Sequence, residues 1–206
     1  DSEFCADCYA DLPWNNPACV RCALPLATQY STTCPACARR LPAFDRSIAA
    51  VRYEFPVDVL VRRFKYNGML HLAPSLSKLL LDAVLLANLE KPEALLPVPL
   101  HTARLKERGF NQSIEIARIL SRAMDIPLLT TAIRRQRDTP FQTGLVASQR
   151  RKNLRNAFVA TTTHLPESVA IVDDVMTTGT TAQAIASLLR NHGVKHMTVW
   201  AISRAD

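Results

Sequence analysis

Four consecutive apolar residues, Val169-Ala170-Ile171-Val172, run without interruption, and two aspartates follow them directly. A short unbroken apolar run rich in β-branched side chains predicts a strand buried on both faces, as in the middle of a parallel sheet. Beyond a small polar loop, Ala182, Ile185, Leu188 and Leu189 return at helical spacing. The same pattern reading predicts strands over 47–53, 94–98, 156–161 and 195–203. Helices are expected over 57–66, 73–90 and 111–124. The first of these is amphipathic and should expose Arg62, Arg63 and Lys65; the second carries Leu76, Leu79, Leu80, Ala83 and Ala87 on one face. Strands alternating with helices predict an α/β fold, a parallel sheet flanked by helices, with ligands at the carboxyl ends of the strands.

The first 43 residues break this pattern. They hold all six cysteines, as Cys5-x2-Cys8, Cys19-x2-Cys22 and Cys34-x2-Cys37, with prolines between and few aliphatic residues. Residues 1–43 therefore read as a small module that depends on metal for its stability, and residues 44–206 as the larger domain. Two CxxC turns a dozen residues apart suit one tetrahedral Zn2+, with Cys19, Cys22, Cys34 and Cys37 the best set. A disulfide framework is the competing reading; the rest of the chain is long enough to do without staples and has the character of a cytoplasmic protein. Cys5 and Cys8 are left as half a site. The phrase around them reads as the second half of a ribbon whose first half lies upstream of Asp1.

Composition narrows the class. Of 206 residues 48 % are hydrophobic and 21 % charged, which excludes a disordered or fibrous chain, and no apolar stretch is long enough for a membrane span. The net charge of +7 is concentrated between Arg104 and Arg155, where twelve basic residues face four acidic ones. Such a surplus calls for a polyanionic partner, either a pyrophosphate or nucleic acid.

The chemistry sits after the apolar run. Adjacent Asp173 and Asp174 repel each other and lose hydration at the end of a buried strand, a cost that makes sense if they face hydroxyl groups. Thr177, Thr178, Gly179, Thr180 and Thr181 then form a loop leading into a helix, whose free N–H groups and dipole favour an anion. One ligand satisfies both halves: a ribose whose hydroxyls meet the aspartates and whose 5-phosphate lies in the threonine loop. The segment Val169 to Thr181 resembles the 5-phosphoribosyl-1-pyrophosphate (PRPP) motif of type I phosphoribosyltransferases. A Walker loop would need a lysine that this loop lacks.

A second phrase, Leu96-Pro97-Val98-Pro99-Leu100-His101 through Arg104, Arg108-Gly109-Phe110-Asn111-Gln112, narrows the resemblance to the competence protein F (ComF) and GntX group. That group joins an N-terminal zinc ribbon to a type I phosphoribosyltransferase-like domain. Physically, a rigid proline turn places Arg104 and Arg108 where a pyrophosphate sits, with Val98 and Pro99 bordering the ligand, while Gly109 and Asn111 can take unusual backbone angles. The plainer reading is a basic loop in which Asn111 caps the next helix. A third stretch, Arg137 to Leu145 followed by Arg150-Arg151-Lys152 and on to Phe158, also fits the group. It reads as a flap closing over PRPP or, equally, as a solvated basic helix.

The resemblance implies Mg2+ with PRPP, structural Zn2+, and a cytoplasmic role in natural transformation, handling incoming single-stranded DNA. Arg62, Arg63, Lys65, Arg150, Arg151 and Lys152, interleaved with Phe64, Tyr66 and Phe141, are the expected nucleic-acid contacts. Two other readings stand beside it. One is a metabolic enzyme in which Asp173, Asp174, Arg104 and Arg108 support transfer of phosphoribose to a nitrogen nucleophile, with the zinc ribbon the sole candidate for an acceptor-binding hood. The other is docking of a protein partner, such as a DNA translocase, on the ribbon.

Overall fold

The computed structural model describes residues 4–137 and 157–205. In chain order the elements are α1 (Ala6–Ala10), α2 (Pro35–Arg39), β1 (Arg46–Arg52), α3 (Val57–Tyr66), α4 (Leu72–Leu86), β2 (Ala94–Pro97), α5 (Thr102–Arg108), α6 (Gln112–Met124), β3 (Ile133–Arg135), β4 (Phe158–Ala160), β5 (Ser168–Met176), α7 (Thr180–Asn191) and β6 (His196–Arg204).

Four strands form one parallel sheet in the order β1-β6-β5-β2. β5 is interior, which explains its uninterrupted apolar run. Alternate residues serve two cores. Ala170, Val172, Trp200 and Ile202 pack with Val61, Phe64, Leu76, Leu79, Leu80, Ile116 and Leu120 from α3, α4 and α6. Val169, Ile171, Val199 and Ala201 pack with Ala182, Ile185, Ala186 and Leu189 from α7. The result is helices on both faces of the sheet, as parallel strands require. β3 and β4 form a separate antiparallel pair.

Several boundaries differ from expectation. β5 continues through the acidic pair to Met176, because Asp173 and Val175 still pair with Ala201 and Ser203 of β6. α4 ends at Leu86, and Asn88 turns the chain with a left-handed φ of 45°. The stretch after Pro99, expected to be loop, contains the helix α5, capped by the His101 ring at the Ala103 N–H and closed by Gly109 at φ 81°. Asn111 has an ordinary extended backbone (φ −112°, ψ 115°), contrary to the expectation of unusual angles there. Its side chain is what matters: Oδ1 caps α6 at the Ser113 N–H and Nδ2 donates to the Val98 carbonyl at 3.0 Å.

The cysteine-rich segment is stitched to the sheet. Trp14 bridges Val51, the Asn15 N–H donates to the Ala50 carbonyl, and the Ser47 N–H donates to the Val20 carbonyl. Leu12 joins one core and Ala23 the other. Among the described residues, no helix is long and apolar enough to cross a membrane.

Candidate functional site

At the carboxyl ends of the strands lies a cavity of about 240 Å3, lined from five directions. β5 and the loop after it contribute Asp173, Asp174, Thr177 and Gly179; α7 contributes Thr180 and Thr181; the turn after β2 contributes Val98; and α5 contributes Arg104 and Arg108. Tyr53, Lys65 and Tyr66 close the side next to β1 and α3. Nine of the residues singled out for a phosphoribosyl ligand thus share one space. Thr178 is exposed at the loop's outer edge, its hydroxyl 2.6 Å from that of Thr180. Pro99 lines a neighbouring groove beside β3 and β4 instead.

The acidic pair is held by groups from three elements. Asp173 Oδ1 accepts from the Asp174 N–H at 2.9 Å and from Ser113 Oγ at 3.2 Å. Asp174 Oδ1 accepts from the Val175 N–H at 2.7 Å, and its Oδ2 lies 2.9 Å from Lys65 Nζ. Desolvation, and then the neighbouring Asp174 charge, push the Asp173 carboxyl up to about 7, against the pull of Lys65. Burial disfavours the Lys65 charge, but the two carboxylates outweigh it and hold its pKa above the ordinary lysine value. Among the described residues one cation, Lys65, is ion-paired with this acidic pair, and the corner it forms is rich in acceptors, which suits a ligand that brings hydroxyl groups and a metal ion.

The phosphate end is built from backbone. Gly179 takes φ 70° as the N-cap of α7 and no side chain caps that helix, so the first N–H groups of twelve aligned residues face the loop. A Cβ at Gly179 would come within 3.0 Å of Met176 Cε, the end of a flexible side chain that would have to move, so the left-handed φ is what calls for glycine here. Opposite, the Arg108 guanidinium lies 4.9 Å over the Tyr66 ring, a cation–π contact that steers it along the rim.

Sequence reasoning missed part of the lining. Tyr53, Ser113, Gln112 and Arg135 all border the cavity; Gln112 is 2 % exposed and its Nε2 is without a hydrogen-bond partner among the described residues. Gln112 closes the second phrase without a role of its own there, and Tyr53, Ser113 and Arg135 stand in no motif; the turn after β1, α6 and β3 bring them in. Lys65 was grouped by sequence with the outward bases of α3, yet its side chain is 19 % exposed and turned inward to Asp174. Phe64, expected to stack bases, is fully buried in the core. Arg62 and Arg63 are exposed, as is Tyr66. Arg150, Arg151, Lys152, Phe141 and the expected flap lie outside the described residues. None of residues 4–43 lines this cavity, whose side next to β1 and α3 is closed by Tyr53, Lys65 and Tyr66.

A second centre is formed by Cys19, Cys22, Cys34 and Cys37, whose sulfur atoms all lie within 4.8 Å of one another. Cys22 Sγ and Cys34 Sγ are 3.7 Å apart, far beyond a disulfide, and all six cysteines are free thiols. Zn–S bonds of about 2.3 Å in a tetrahedron give S···S edges of roughly 3.8 Å, so the spacing fits a metal such as zinc. Backbone N–H groups of Cys34 and Cys37 already point at Cys19 Sγ and Cys34 Sγ. Burial opposes ionisation of Cys19, but N–H donors from Cys34, Cys22 and Arg21 outweigh it and bring its pKa to about 7. Cys8 on α1 and Cys5 at its N-cap are exposed and lie outside this group.

The profile of the phosphoribosyl transferase domain matches residues 111–203. Competence protein F of Haemophilus influenzae is 36 % identical over 209 residues, spanning 98 % of this chain and 90 % of that protein. The DNA utilization proteins YhgH of Shigella flexneri and Salmonella typhi are 34 % and 33 % identical, over the same shares of both chains.

Proposed function

The chain belongs to the competence protein F family, and we propose that it binds Mg2+–PRPP at the carboxyl end of β5 and acts in natural transformation, on single-stranded DNA entering the cell. The observation that carries the ligand is the convergence of the acidic pair, the threonine loop, Arg104 and Arg108 on one cavity. The threonine hydroxyls and the uncapped N-terminus of α7 bind the 5-phosphate. Asp173 and Asp174 accept hydrogen bonds from the ribose hydroxyls. Arg104 and Arg108 neutralise the pyrophosphate, and Val98, whose carbonyl is tied by Asn111, fixes the turn beneath it. Mg2+ arriving with PRPP supplies further neutralisation of the phosphate charge.

The DNA role rests on the relatives, which are a competence protein and DNA utilization proteins by name, and on the exposed face of α3. There Arg62 and Arg63 are exposed on the same helix as Tyr66, 72 % exposed, so phosphate-pairing groups and a base-stacking ring stand about one turn apart.

A metabolic phosphoribosyltransferase is the second reading, favoured by the placing of two arginines where a leaving pyrophosphate would be stabilised. Such an enzyme works by orientation and charge rather than through a protein nucleophile. The two readings part on one assay. Incubation with Mg2+–PRPP and a panel of nucleobases, amines and ammonia releases pyrophosphate if the chain is a transferase. Tight binding with no release across the panel assigns PRPP the part of ligand or regulator.

A further inference from the structure

Among the described residues, Lys65 is the one from α3 that is ion-paired with the acidic pair, and none of the ligand roles above uses it. It rises from the last turn of α3, across the cavity from the α7 wall, and places Nζ 2.9 Å from Asp174 Oδ2 while the other oxygen of that carboxylate is taken by the Val175 N–H. Both oxygens of Asp174 are thereby directed, and the plane of the carboxylate is fixed by two donors from different elements. Asp173, by contrast, is oriented by Ser113 from α6 and by the next backbone N–H.

An ion pair this deep adds little to stability, because desolvation of both charges offsets their attraction. A pair placed only for stability would have no reason to line a ligand cavity. Its position is explained if it aims the carboxylate at something the cavity receives.

We propose that Lys65 is a positioning residue for the sugar end of the site, holding Asp174 so that its remaining lone pairs meet vicinal hydroxyls and thereby selecting ribose over deoxyribose. The proposal rests on the reading of the cavity as a phosphoribosyl site. It departs from the sequence expectation, in which Lys65 faced nucleic acid. A hydrogen bond from a sugar hydroxyl to a carboxylate is worth about 1.5–3 kcal/mol when the geometry is held, so the preference for the sugar that offers both hydroxyls is on the order of tenfold or more.

Calorimetric titration of the full chain with inorganic phosphate, ribose 5-phosphate and 2-deoxyribose 5-phosphate tests this in the wild type, Lys65→Gln and Lys65→Arg. The proposal expects wild type to prefer the ribose compound by roughly tenfold, Lys65→Gln to reduce that preference to within about twofold with phosphate affinity unchanged, and Lys65→Arg to restore most of it. Retention of the full preference by Lys65→Gln overturns it. Equal loss of all three ligands in both variants, or failure of both to fold, also overturns it by assigning Lys65 a structural part only. If the wild type binds phosphate but gains nothing from either sugar, the phosphoribosyl reading itself fails, an outcome distinct from the others.

Discussion

Arg204, at the end of the last strand, donates from Nε to the carbonyl of Cys22 at 3.0 Å, joining the metal-ligand turn to the sheet. Its Nη1 also reaches the carbonyl of Met176 at 3.3 Å, one residue before the threonine loop. A single side chain, 7 % exposed, thus ties the cysteine cluster to the floor of the ligand site.

This tie makes the cluster a support for the whole chain. Removing Arg204 takes the donor from the Cys22 carbonyl, at about 1–3 kcal/mol, while the Met176 carbonyl keeps the Ala205 N–H at 3.0 Å. Arg204→Met should lower the melting temperature by about 3 °C or more for a chain of this size. Metal analysis should find about one zinc per chain, and a chelator that strips it should lower the melting temperature further, since the thiolates then repel each other in a buried cluster. Unchanged melting after complete metal removal would contradict a structural role.

Two glycines in similar backbone conformations should respond differently to a methyl group. At Gly179, alanine meets both a φ of 70° and Met176 Cε at 3.0 Å, whereas at Gly109 (φ 81°) nothing lies within 4 Å of the added carbon. Each change costs about 1–2 kcal/mol in backbone strain. Only Gly179→Ala should also weaken binding of inorganic phosphate, because it displaces the N-terminus of α7. Equal loss of phosphate binding in both variants would remove the threonine loop from the phosphate site.

The raised carboxyl of Asp173 sets a pH dependence. Between its ordinary value near 3.8 and about 7, the folded chain keeps a proton that the unfolded chain has released. The stability from this group is therefore complete below the ordinary value and lost as pH rises through about 7. Melting of the ligand-free wild type relative to Asp173→Asn should become less favourable from about pH 5 to about pH 8. A difference that stays flat, or reverses, would show that Asp173 is not desolvated.

Single-stranded DNA binding should weaken steeply with salt and survive Asp173→Ala, since Arg62 and Arg63 are not among the residues that line the cavity with the acid pair. For single strands each phosphate contact contributes about 0.7 to the salt slope, so Arg62→Ala with Arg63→Ala should reduce it by roughly 1.4. Filter binding across a salt series measures this. An unaltered slope would place the DNA elsewhere.

The strands, the two-sided burial and the central motif were legible because each is encoded contiguously. β5 declares itself by four apolar residues, and the acidic pair and threonine loop follow in the next nine. The opposite wall was not legible. Tyr53, Lys65 and Ser113 are scattered over sixty residues of sequence, and nothing local distinguishes an inward Lys65 from its outward neighbours Arg62 and Arg63. The buried face of α3 is Val57, Val61 and Phe64, whereas the sequence reading puts both Phe64 and Lys65 toward nucleic acid. α5 escaped notice because seven residues, none of them buried, offer no apolar repeat. Two of the three CxxC pairs gave the metal cluster directly, since tetrahedral sulfur sites depend on local spacing.

The account stands most directly on one titration: Mg2+–PRPP into the wild-type chain and into the Asp173→Ala, Asp174→Ala double variant, followed by calorimetry. Saturable, Mg2+-dependent binding to the wild type, weakened about a hundredfold or more in the double variant, is the predicted result, as expected for the loss of two charge-assisted contacts. Wild-type protein that fails to bind, or a double variant that binds equally well, would contradict it.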